Sequence, residues 1–231
     1  MRERDIDPAY RTTEADKSLA LIDVIKACTN APVTKALVVG CGSGREAGLI
    51  ARGLEANTVG IDIGGDFDFD YAGSKPAELM IMDARELHFP ARSFDFIFSF
   101  HALEHIPRPE QALAEMARVL KPGGSYLIGT PNKSRLVGYV GSAASFKEKF
   151  QWNLDDYKQR LKGKWSNEAG AHAGFTQQEL FDMCSTAFGR NPIAVSSEYY
   201  SKLYGKFATW MKLTQLDSVL YPCVYVFGKR A

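Results

Sequence analysis

The chain has 231 residues, 45% of them hydrophobic and 24% charged, which is enough to bury a core without metals or disulfides as staples. Its 28 Lys and Arg residues face 27 Asp and Glu residues, a formal charge of +1, so no basic excess points to a nucleic-acid partner. Cys28, Cys41, Cys184 and Cys223 form no CxxC pair. That speaks against a zinc site or disulfide framework and fits a reducing, cytoplasmic setting. The first residues, MRERDIDPAYRTTEADK, hold no apolar core of signal-peptide length, and no apolar run approaches the roughly 20 residues of a membrane span.

In chain order, EADKSLALIDVIKAC near residue 16 reads as an amphipathic helix placed before the first strand. Short apolar runs then recur at residues 36–40, 58–63, 79–82, 94–100 and 125–129. Strands without polar alternation are expected where both faces are buried, so the alternation of strand and helix signals predicts a parallel sheet covered on both sides. The stretch after Asp62, IGGDFDFDYAGSKPAE, breaks that alternation and reads as loop or a single turn. In PEQALAEMARVLKPGG, Pro109 suits a first helical position and Leu113, Met116, Ala117 and Leu120 share one face, with Pro122 and two glycines as the stop. Residues 133–174 form a polar insertion with Trp152, Tyr157 and Trp165, a lid or a helical decoration. FTQQELFDMCSTAFG is a further helix, with Thr176 and Glu179 at capping-box spacing, Leu180, Met183, Cys184 and Ala187 as its buried stripe, and Gly189 as its stop. Two closing strands are expected at 193–197 and 223–227, with a helical stretch between them. The whole, 1–231, reads as one domain: a core over 1–132, the insertion, and a C-terminal part over 175–231.

The stretch ALVVGCGSGRE sets Gly40, Gly42 and Gly44 directly after the first strand. Such glycines permit a tight turn and close approach of a ligand to bare backbone. A P-loop is excluded, because no Gly-Lys-Ser/Thr follows. A dinucleotide fingerprint is disfavoured, because Arg45 stands where the last glycine of G-x-G-x-x-G belongs. Asp62 ends the second strand, where a carboxylate can accept both ribose hydroxyls, and Asp83 follows the third, where it can accept an adenine amino group beside the amide of Ala84. Glycines and two acids at successive strand ends outline a nucleoside site.

Residues 36–132 also resemble a known family, the class I methyltransferases dependent on S-adenosylmethionine, of the small-molecule "type 11" kind. The similarity is carried by LVVGCGSG, by VGIDI, and by the run MDARELHFPARSFDFIFSFHALEHIPRPEQALAEMARVLKPGGSYLIGTPN. The resemblance implies a doubly wound, mostly parallel seven-stranded α/β sheet, ordered 3-2-1-4-5-7-6 with strand 7 antiparallel. It also implies S-adenosyl-L-methionine as cofactor and S-adenosyl-L-homocysteine as product. Carried over residue by residue, Gly40, Cys41, Gly42, Ser43 and Gly44 line the cofactor, Asp62 and Ile63 hold its ribose end, Asp83 and Ala84 hold adenine, and Phe100 or His101 packs beyond the fourth strand.

Methyl transfer from a sulfonium needs alignment first, and a general base only where the acceptor must lose a proton. His105 and His101 are the candidate bases, with His172 as a further candidate and His88 as a structural residue. Tyr10 and Arg11 are candidates to fold over the cofactor, and Tyr199, Tyr200, Tyr204, Phe207 and Trp210 form an acceptor pocket, a membrane-touching face, core or a dimer contact. The expected activity is methyl transfer to a hydroxyl of a sugar, quinone or natural product. Its rivals are a non-catalytic S-adenosylmethionine-binding sensor or assembly protein and an NAD-dependent oxidoreductase. Partners are expected to be small molecules rather than nucleic acid, without membrane insertion; a homodimer is left open.

Overall fold

The structure, a computed structural model, describes residues 8–29, 31–67, 77–139, 144–214 and 216–231. Helix α1 (Pro8–Cys28) reaches further back than its apolar pattern suggests, and the side chains of Tyr10 and Arg11 lie outside those described. Then follow β1 (Lys35–Val39), α2 (Arg45–Leu54), β2 (Asn57–Asp62), β3 (Glu78–Ile81) and β4 (Phe94–Phe100). A 3₁₀ turn (Leu103–His105) leads to α3 (Pro109–Val119) and β5 (Leu120–Pro131). The remaining elements are α4 (Phe146–Leu161), α5 (Gln177–Phe188), β6 (Ile193–Ala194), α6 (Ser196–Tyr204), α7 (Lys206–Leu213), α8 (Asp217–Leu220) and β7 (Cys223–Lys229).

The strands form one seven-stranded sheet in the order β3-β2-β1-β4-β5-β7-β6, parallel except for β7, which runs antiparallel to both neighbours. This is the expected α/β architecture. Strand side chains alternate between two cores. Leu37 and Val39 point into one with Leu113, Met116, Leu180 and Phe188 of α3 and α5. Ala36 and Val38 point into the other with Ile25, Ala47, Ile50 and Tyr199 of α1, α2 and α6. Chain order reverses between β1 and β4, so the loops after these two strands diverge and leave a crevice outside their carboxyl ends.

At the opposite, amino end of the sheet, Asp95 ties three strands together. One of its oxygens accepts the backbone N–H groups of Thr34 (3.1 Å) and Lys35 (2.9 Å) and the Thr34 hydroxyl (2.5 Å). The other takes Lys121 Nζ at 2.6 Å. The carboxyl resists some desolvation, and these donors hold its pKa down to about 2.

Three boundaries differ from the sequence reading. Leu120 does not continue the helical face: α3 ends at Val119 and Leu120, extended at φ −75° and ψ 138°, opens β5 and pairs with Phe94. The next pair is Phe96 with Ser125, so the KPGG segment is a bulge within β5, where Pro122 and the glycines cannot hold a regular ladder. The strand expected at 193–197 shrinks to two residues, because Val195 leaves the extended region and the Ser196 hydroxyl accepts the Tyr225 N–H (2.8 Å) where pairing would continue. The helical stretch after it is divided into α6, α7 and α8, with Gly205 at φ 52° at the first break. On α5, Leu180 and Cys184 are buried as expected, while Met183 and Ala187 are half-buried beside Phe188. The reciprocal Thr176–Glu179 cap and the left-handed Gly189 are both present. Of the loop after Asp62, residues 63–67 are non-helical and 68–76 lie outside the described residues. Among the described residues no helix is long and apolar enough to cross a membrane.

Candidate functional site

The crevice holds two adjoining cavities. The first, of about 350 Å³, is lined by Gly40 and Gly42 after β1, Asp62 and Ile63 at the end of β2, Met82, Asp83 and Ala84 after β3, and His101, Ala102, His105 and Ile106 after β4. Each glycine has its own reason. Gly40 (φ 73°) sits so near Ala102 that a side chain would clash, whereas Gly42 (φ 51°) faces open space where a ligand can touch backbone. Gly44 (φ 94°) starts α2 and faces Leu79, so it brings helix and strand together, the task of the last glycine in a dinucleotide motif performed one residue early.

Asp62 is half-buried and aimed by backbone. Its Oδ2 accepts the Gly42 N–H at 2.8 Å and its Oδ1 the Gly64 N–H at 3.1 Å. One lone pair on each oxygen remains for a ligand, the number a ribose diol requires. Asp83 is gripped by Arg85, whose Nε and Nη2 reach the two carboxylate oxygens at 3.0 and 2.6 Å. That guanidinium, with the Arg85 backbone N–H, pulls the Asp83 pKa down to about 2. The loop carrying Asp83 and Ala84 is itself pinned from α3: Glu115 accepts the Leu87 N–H at 2.9 Å, and Arg118 donates to the carbonyls of Leu87 and Phe89. Exposed Ile63 with buried Met82 and Ala84 gives the cavity apolar walls for a flat ring. A backbone cradle, a diol acceptor and an apolar slot fit an adenosine cofactor.

After β4 the backbone turns through His101, left-handed at φ 51°, with its N–H held by the Gly129 carbonyl at 3.0 Å. His is one of the residue types that tolerates this region. The turn places His101 Nδ1 3.4 Å and His105 Nε2 3.9 Å from one carboxylate oxygen of Glu104, a side chain with no exposed surface and, among the described residues, no hydrogen-bond partner. The His105 ring also meets that of His172, 4.5 Å between centroids. Burial disfavours the His101 imidazolium, but Cys223 and Glu104 beside the ring outweigh it and raise the pKa to about 10.

The second cavity, of about 500 Å³, shares His101 with the first. Its walls include Phe100, Tyr199, Tyr200, Tyr204 and Tyr225, with His172, Arg135 and Cys223. Arg135 is a buried brace: it donates to Asp156 (3.2 Å) and to the Ala173 carbonyl (3.1 Å) and stacks on Trp165, tying α4 to the end of β5.

Of the residues expected at the cofactor, the structure brings Gly40, Gly42, Asp62, Ile63, Asp83 and Ala84 to one cavity. Cys41 is buried beneath it, Ser43 and Gly44 are not among its lining, and Phe100 faces the second cavity, because successive strand residues point to opposite faces. His105 lines the first cavity, His172 the second, and His88 lies on an exposed loop beside Glu86. The tyrosines of α6 line the second cavity, half-exposed Trp210 does not, and the Phe207 side chain is outside those described. Sequence reasoning missed Cys223 beside His101, a contact across 122 residues that no local pattern announces.

A doubly wound sheet with an acid ending β2 and a glycine turn after β1 is the arrangement that would suit a nucleoside ligand. Residues 37–128 match the family described as "Methyltransferase domain". The chain is 31% identical over 136 residues to a phosphatidylethanolamine N-methyltransferase of Cereibacter sphaeroides, covering 54% of this chain and 66% of that protein. It is 34% identical over 100 residues to the sterol 24-C-methyltransferase erg-4 of Neurospora crassa, covering 40% of this chain and 26% of that one. It thus spans less than two thirds of these relatives. A phosphoethanolamine N-methyltransferase of Haemonchus contortus, solved with phosphomonomethylethanolamine and S-adenosylhomocysteine, superposes with a TM-score of 0.61 at 15% identity, over 96% of this chain and 56% of that one. The match over residues 37–128 and these relatives support a class I, S-adenosylmethionine-dependent methyltransferase domain in this chain.

Proposed function

We propose that this protein transfers a methyl group from S-adenosylmethionine to a hydroxyl oxygen of a small molecule seated in the second cavity. The observation that carries the reading is that one residue, His101, belongs to the walls of both cavities, so a donor in the first and an acceptor in the second would meet there. Among a sugar, a quinone-type compound and an aromatic natural product, the tyrosine-rich wall favours the last two, since flat rings stack on flat rings. The relatives named above are by name lipid N- and sterol C-methyltransferases, and the family match spans residues 37–128, which include the glycine turn, Asp62 and Asp83.

The bound cofactor supplies an electrophilic methyl and a neutral leaving group. In this reading Gly40 and Gly42 offer backbone to it, Asp62 accepts its ribose hydroxyls, and Asp83, fixed by Arg85, takes the adenine amino group with Ala84 alongside. Cys41, Ser43 and Gly44 shape the turn rather than the wall. His105 is the general base. It lies at the cavity edge with Glu104 behind it, whereas His101, protonated through the neutral range, cannot collect a proton there. The α4 hairpin, braced by Arg135, is the lid of the acceptor cavity, and 1–231 act as one domain. The test is release of S-adenosylhomocysteine across a panel of quinols, phenols, sugars and amines. Acceptor-dependent release with quinols or phenols is expected; turnover with amines alone, or binding without turnover across the panel, would overturn the proposal.

A further inference from the structure

On the wall between the cavities stands a second constellation that methyl transfer does not require. Cys223, the first residue of β7, places Sγ 3.3 Å from Nε2 of His101. The other ring nitrogen lies 3.4 Å from the Glu104 carboxylate, which is wholly buried and, among the described residues, makes no hydrogen bond. A thiol, an imidazole and an orienting carboxylate in this order are the parts of an activated nucleophile, and here they face a cavity of about 500 Å³. The other cysteines lack such parts. Burial raises the thiol pKa of Cys28, aided by Glu198, and pushes those of Cys41 and Cys184 up to about 12.

We propose that Cys223 is a covalent modification site for soft carbon electrophiles, the α,β-unsaturated carbonyl compounds, quinones included, that enter the second cavity. The Cys223–His101 pair holds one proton, carried on His101 Nε2 with Glu104 on the opposite side of the ring, so the sulfur reacts as the thiolate. The sulfur lone pair then forms a C–S bond at the β-carbon, the C=C π pair moves to the carbonyl oxygen, and the resulting enolate takes the proton back from His101. Nothing is oxidised or reduced, and no further reactant is needed. The adduct fills the acceptor cavity. Lining the same cavity are Lys17 of α1, Arg45 and Glu46 of α2, and Tyr199, Tyr200 and Tyr204 of α6, with Tyr225 on the same strand as Cys223. Tyr200 Oη accepts the Cys223 backbone N–H at 3.0 Å and so fixes the residue's position. This chemistry stands whether or not the chain methylates a hydroxyl.

The test is N-ethylmaleimide labelling of the intact protein, with each cysteine followed by peptide mass spectrometry. At pH 7 Cys223 should react at least ~10-fold faster than Cys28, and His101→Asn should erase that advantage while leaving the Cys28 rate unchanged. Glu104→Gln should shift the pH profile of Cys223 labelling upward by about one unit, a change that loss of packing alone would not give. Should either variant fail to fold, the wild-type profiles decide: the Cys223 advantage over Cys28 should be largest at neutral pH and shrink as pH rises. Parallel profiles for the two cysteines, or a His101→Asn protein with Cys223 as fast as before, would overturn the proposal.

Discussion

The two ends of the sheet treat their charges differently. At the amino end, Asp95 is saturated by four donors, one of them a lysine. At the carboxyl end, among the described residues, Asp62 accepts two backbone N–H groups, Glu104 is buried without a hydrogen bond, and His101 is held left-handed. The first arrangement leaves nothing to offer a ligand and serves the fold. The second keeps acceptor capacity and proton-holding groups at the crevice, where they serve chemistry. Charges satisfied internally mark stability, and charges held in reserve mark function.

The sharpest way to break this contrast is to alter two residues at the carboxyl end and one at the amino end. His105→Ala should lower turnover by about 10²–10⁴ with cofactor affinity intact, as expected for loss of a general base. Steady-state rates near wild type would reduce His105 to a brace for the loop. Asp62→Ala should weaken S-adenosylmethionine by roughly 100-fold, the worth of two charge-assisted hydrogen bonds, measured by calorimetry. Asp95→Ala should instead cost about 2–3 kcal/mol of stability in denaturant titrations and leave cofactor affinity of the folded protein unchanged. An Asp95 variant that binds cofactor poorly while folding normally would erase the distinction between the two ends.

The ends should also separate by pH. Asp95, with its folded pKa near 2, contributes stability that is present above its unfolded value and is lost as pH falls through 2. His101, with its folded pKa raised to about 10, contributes stability that is full below its unfolded value near 6.5 and fades as pH rises through 10. His101→Asn should therefore flatten the alkaline flank of the Tm profile, and Asp95→Asn the acid flank. The smallest expected effect concerns α4. Limited proteolysis within residues 132–174 should slow a few-fold when cofactor and acceptor are both present, and equal cleavage in both states would count against a closing lid.

How much of this was legible in the sequence follows from how local each signal is. The glycine turn, Asp62 and Asp83 lie at strand ends within one continuous run, so their meeting in one cavity follows from a parallel sheet alone. The Thr176–Glu179 cap is likewise a four-residue pattern. Leu120 was misplaced because a helical face and the start of a buried strand look alike over one residue, and the bulge at KPGG is a matter of pairing with β4. The strand expected at 193–197 stops after Ala194 because Ser196 bonds Tyr225, a partner far along the chain. That Phe100 lines the second cavity and not the first depends on the pleat's phase, and the Cys223–His101 contact depends on the register of β7 against β5. What was missed is long-range.

The measurement that tests the central claim most directly is thermal unfolding with S-adenosylmethionine, S-adenosylhomocysteine, NADH and no ligand, in parallel. A ligand at about 100 times its dissociation constant adds roughly 2.7 kcal/mol, enough to raise the midpoint by several degrees. The two sulfur nucleosides should each produce that shift, and NADH should not. A shift with NADH alone, or none with either sulfur nucleoside, would contradict the assignment of the first cavity.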